Sequence, residues 1–177
     1  MKALAALALA VSLCASPALA SPEKAELITL PNPPAGKAQM VFFRAGGFAG
    51  SAISCAVSEA GEKISSLPPA RFFVAVVEPG RHTFRVSSEA KDEIFVDLKP
   101  GQTQYAKCSI AMGIMAGRPK LEIAEEAQFT SKPWKSVTPD RMAANVLTDE
   151  QIKAALAVQA GNGTGSVATT TAAAPAS

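Results

Sequence analysis

Two Pro-Gly pairs, each set between apolar runs, constrain this chain more than any other feature. Phe72-Phe73-Val74-Ala75-Val76-Val77 leads into Glu78-Pro79-Gly80-Arg81, and the chain resumes as His82-Thr83-Phe84-Arg85-Val86. The device recurs: Ile94-Phe95-Val96-Asp97-Leu98, then Lys99-Pro100-Gly101-Gln102, then a run from Thr103 to Ser109. Proline presets φ near about −65° at the second turn position, and glycine accepts the positive φ that a type II turn needs next. The expectation is four β-segments folded back on themselves as a meander, with the rest packed around it.

Alternation extends the pattern in both directions. Ile53, Cys55 and Val57 share one face of a segment over residues 51–58, and Ser54, Ala56 and Ser58 share the other. Phe84 and Val86 point one way in their strand; Ile94, Val96 and Leu98 do the same in the next. Ala106, Cys108 and Ile110 oppose Tyr105, Lys107 and Ser109. Met40-Val41-Phe42-Phe43 is apolar on both faces, as a strand inside a sheet would be. Glu59-Ala60-Gly61-Glu62 turns the chain into a short strand ending at Pro68-Pro69. Together these predict an all-β fold, a small antiparallel β-sandwich of about seven or eight strands over residues 38–128.

The flanks read differently. Residues 21–37 hold Pro22, Pro31, Pro33 and Pro34, and predict an extended lead-in rather than a packed element. Residues 129–160 form a C-terminal segment. In it Thr148 and Gln151 make a capping box that starts a short helix over 149–159, with a narrow apolar stripe of Ile152, Ala155 and Leu156. Residues 161–177 are Gly, Thr, Ala and Ser with little to bury, and predict a disordered tail.

Residues 1–20 have the three parts of a secretory signal: Lys2, an apolar run from Ala3 to Leu13, and a small-x-small site at Ala18-Leu19-Ala20. That predicts a periplasmic or secreted protein beginning at Ser21. Cys14 raises the alternative of a lipid-anchored outer-membrane lipoprotein, but Leu13 stands where a small residue is wanted. After the signal no apolar run is long enough to cross a bilayer as a helix. Cys55 and Cys108 then remain, and an oxidising compartment favours a disulfide between them over two buried thiols. Seventeen lysines and arginines stand against 15 acidic residues, without the basic run of a nucleic-acid arm, so that partner class is set aside.

Chemistry-bearing residues are sparse. His82 is the only histidine, and a small-ligand binder or hydrolase-like enzyme would use it with Glu78, Asp92 or Tyr105. Its phase with Phe84 and Val86 favours a structural role. Asp92 and Glu93 lie in a polar turn without calcium-loop spacing, and no metal or cofactor is expected. The binding candidates are Phe48 in a glycine-rich loop, Ile114, Met115 and Arg118 in the 112–119 segment, and Trp134, flanked by Pro133 and by Lys132 and Lys135. Trp134 is read first as a pin holding the C-terminal segment onto its own domain.

From Ala38 to about Ala124 the chain resembles DUF2846, a bacterial family of uncharacterised secreted and lipoprotein domains. The residues that carry this are Ala38-Gln39-Met40-Val41-Phe42-Phe43-Arg44, Phe48-Ala49-Gly50-Ser51-Ala52 and Phe72-Phe73-Val74 before Glu78-Pro79-Gly80-Arg81-His82-Thr83. Lys99-Pro100-Gly101-Gln102-Thr103 and Gly117-Arg118-Pro119-Lys120-Leu121 complete the order. The Pro-Gly-x-His strand start is also similar to PEGA-type β-sandwich domains. The resemblance implies a bacterial envelope protein with a compact β-sandwich and no established activity. It supplies no catalytic residues. The expected function is therefore a non-enzymatic envelope module that binds or scaffolds a protein partner.

Overall fold

A computed structural model describes residues 27–47, 52–87, 91–112 and 117–163. The signal region, Phe48, Ile114, Met115 and most of the expected tail lie outside the described residues. Strands β1 (Ala38–Arg44), β4 (Arg71–Val77), β7 (Thr103–Met112), β8 (Gly117–Ala124) and β9 (Lys135–Ser136) form a central sheet in the order β8-β7-β1-β4-β9. Strands β2 (Cys55–Glu59), β3 (Glu62–Leu67), β5 (Gly80–Ser87) and β6 (Lys91–Leu98) form an outer sheet in the order β3-β2-β5-β6. The β-sandwich is thus as the alternation predicts. It is not wholly antiparallel, because β1 runs parallel to β7 and β4 parallel to β9.

The meander does not form. The Pro79-Gly80 turn carries the chain from β4 in the central sheet to β5 in the outer one, and Pro100-Gly101 carries it back from β6 to β7. Each is a corner between sheets, and of the four segments only β5 and β6 pair as neighbours in sequence. The reason lies in the strands. β4 is buried along both faces and needs cover on each, whereas β5 and β6 alternate and can face water on one side. Gly101 has φ +75°, as a type II turn requires, and the Gln102 amide donates to the Lys99 carbonyl across it.

Two hydrophobic layers result. Between the sheets, Met40 and Phe42 of β1 meet Phe73 and Ala75 of β4, Phe84 and Val86 of β5, and Val96 and Leu98 of β6. Phe42 stacks on Phe73 at 4.9 Å and meets Phe84 edge-on at 5.1 Å. Each such buried ring contributes about 1.5–3 kcal/mol. The Cys55–Cys108 disulfide crosses this layer from β2 to β7, with Cα atoms 6.6 Å apart.

The alternate residues of the same central strands, Val41, Phe43, Phe72, Val74 and Tyr105, face the other way into a second layer. Helix α1 (Glu126–Thr130) covers it with Phe129, Trp134 follows, and helix α2 (Asp149–Gly163) adds Ile152 and Leu156. The capping box at α2 is present: the Thr148 amide donates to Gln151 Oε1 at 2.8 Å and the Gln151 amide to Thr148 Oγ1 at 3.3 Å. The helix runs four residues past its expected end. The lead-in also packs, contrary to expectation, because Ile28 and Leu30 insert against this layer and Pro31 is buried. Phe129, Trp134 and helix α2 therefore belong to a third layer of the same fold.

The open sides of the sandwich are tied. Val137 and Leu147 donate backbone hydrogen bonds to Phe72 and Val74, Val76 donates to Asn145, and Ala143 donates to Ile64. A single C-terminal strap thereby lines the outer edge of β4 and reaches β3. On the opposite side Asp92 of β6 accepts the Leu121 amide of β8 at 2.6 Å.

Candidate functional site

His82 enters β5 two residues after the Pro79-Gly80 corner, and its ring stacks on Phe84 at 5.6 Å with planes 8° apart. Nδ1 lies 2.6 Å from Glu59 Oε1 and Nε2 lies 2.7 Å from the Glu78 carbonyl oxygen. That carbonyl can only accept, so Nε2 donates to it, while Nδ1 faces the Glu59 carboxylate. Both ring nitrogens are occupied. The Glu78 carboxylate turns away to pair with Lys37.

These side chains line a cleft of about 630 Å³ whose far wall is Asn145, Leu147 and Gln151. The other residues considered with His82 go elsewhere. Asp92 holds the β6–β8 seam, and Tyr105 lies on the opposite face of the central sheet. Among the described residues no three potential ligands converge on a metal position.

Of the binding candidates, Arg118 is exposed and lies in β8, opposite Ala111, rather than in a loop. Gly117 beside it has no room for a side chain: a Cβ there would fall 2.5 Å from Ile53 Cδ1 and 2.6 Å from Ile110 Cγ2. Trp134 is only 9 % exposed, so it is no surface anchor. Its indole packs on Phe43 at 5.2 Å and its Nε1–H donates to the Phe129 carbonyl at 2.6 Å, which pins the strap. Arg44 is buried as well, donating to the carbonyls of Ile53 and Leu67, and burial lowers its pKa.

A second cleft, of about 480 Å³, opens between the lead-in, β1, β7 and α1. Gln39 and Tyr105 line it with Thr103, Glu126 and Phe129. Gln39 is 1 % exposed; its Nε2 donates to the Pro31 carbonyl at 2.9 Å and to Thr103 Oγ1 at 3.0 Å. Its Oε1 has no partner. Burial, and then the neighbouring Glu126 carboxylate, push the Tyr105 phenol up to about 12. Sequence reading passed over this site. The one available signal was a glutamine opening an otherwise apolar run that is covered on both sides.

No family model, curated protein or solved structure matches this chain.

Proposed function

We propose that the chain is an exported, non-enzymatic β-sandwich that binds or scaffolds a partner in the cell envelope, of the DUF2846-like kind. The observation that carries the reading is the Cys55–Cys108 disulfide between the two sheets. Such bonds persist in oxidising compartments, and the signal-like residues 1–20 supply a route to one. A binding role is supported over catalysis by His82, whose two nitrogens are held by the fold itself. Arg118 offers an exposed cation on β8 for a partner's acidic groups.

Intact mass of the native protein, before and after reduction, tests this. A chain beginning at Ser21 and lighter by two hydrogens before reduction supports export with the bridge formed. A full-length chain with free thiols overturns it. An acylated chain beginning at Cys14 moves the partner search to the membrane face.

A further inference from the structure

We propose that the cleft beneath the lead-in is a binding site for a small organic cation, an alkylammonium group with a short apolar tail. Its polar side chains leave a surplus of acceptors. Gln39 Oε1 is buried without a partner, and reversing the amide would not help, because it would set one oxygen against the Pro31 carbonyl. Ser65 Oγ and Ser136 Oγ are also buried without a partner, but of the three only Gln39 lines a cleft where a donor could enter. Glu126 is the one charged residue lining the cleft, and no lysine or arginine pairs with it among the described residues.

The remaining walls suit the rest of such a ligand. The Tyr105 ring lines the cleft, and aromatic faces attract ammonium groups. Ile28 and Leu30 give an alkyl tail an apolar wall. The volume falls within the range of small-molecule sites. An anion would meet Glu126 and the free acceptor together, so the site rejects it. The Tyr105 phenol hydrogen-bonds the carboxylate of Glu126, the one charged residue lining the cleft. This site stands whether or not the chain is exported.

Titration of the purified chain with n-butylammonium chloride, followed by NMR, tests the site. Sodium butyrate and butanol serve as controls at matched ionic strength. The expected result is a saturating shift of the Gln39 side-chain amide and of the Thr103 and Tyr105 backbone amides. The dissociation constant should be on the order of 1 mM. Glu126→Gln should weaken it about tenfold without altering the melting curve, since Glu126 is exposed. Equal shifts with butyrate or butanol, indifference to Glu126→Gln, or no saturation would overturn the proposal. In the last case Gln39 Oε1 is met by water alone.

Discussion

Ala60 holds a left-handed backbone, φ +49°, next to Gly61 at +88°, where a two-residue turn joins β2 to β3. Two positive φ values are what a type I′ hairpin demands. A side chain in that region costs about 1–2 kcal/mol, partly offset because alanine has less freedom to lose than glycine. Ala60→Gly should therefore raise the unfolding free energy by about 0.5–1 kcal/mol, seen as a higher urea midpoint at unchanged slope. Tyr105, the one tyrosine, permits a second check. The folded phenol keeps its proton to about 12, against 10.0 for the free group. Above pH 10 the unfolded chain binds fewer protons than the folded one, so stability falls as pH rises between these values and is complete below them. Tyrosinate absorbance in the native protein should emerge near pH 12, with urea midpoints dropping over the same interval.

Helix α1 has five residues and would not persist alone. It is held by Phe129, which is fully buried and contacts the rings of Phe43, Phe72, Tyr105 and Trp134. Phe129→Ala should cost about 3–5 kcal/mol in denaturant unfolding, as large a loss as truncating an aromatic residue between the sheets. Strand faces were legible beforehand because alternation is local: Phe84, Val86, Ile94, Val96 and Leu98 all face the core as their spacing dictates. Strand partners were less so. Pro-Gly chemistry fixes the bend but not whether the next strand pairs with the last or crosses to another sheet. The two-sided apolar character of β1 and β4 calls for cover on both faces, but in the sequence alone it marks only a strand inside a sheet. Of the second layer's contents, Trp134 was legible as a pin for the C-terminal segment, whereas Phe129 was hidden, because it stands singly in polar surroundings where no periodicity marks it. The Gln39–Tyr105 cleft needs three elements far apart in sequence, so only the folded chain assembles it.

At the scale of the molecule, the Cys55–Cys108 bond joins covalently two sheets that otherwise meet through side chains, corners and the backbone bonds of the C-terminal strap. It closes a loop of 53 residues, for which restriction of the unfolded chain contributes about 4 kcal/mol. Replacing both cysteines by alanine should lower the unfolding free energy by about that amount while leaving the strand content measured by circular dichroism intact. The pairing of β1 also has a temporal side. Its neighbours are β4, with Ala38 opposite Val77, and β7, with Gln39 opposite Thr103, and Phe43 waits for Trp134. A chain that emerges amino end first, from a ribosome or through a membrane channel, presents this strand, buried along its whole length in the fold, long before any of these arrive. That strand cannot be shielded by its own vicinity, so its native contacts wait until residues up to Trp134 have emerged, and until then β1 is open to pairing with its counterpart in another copy.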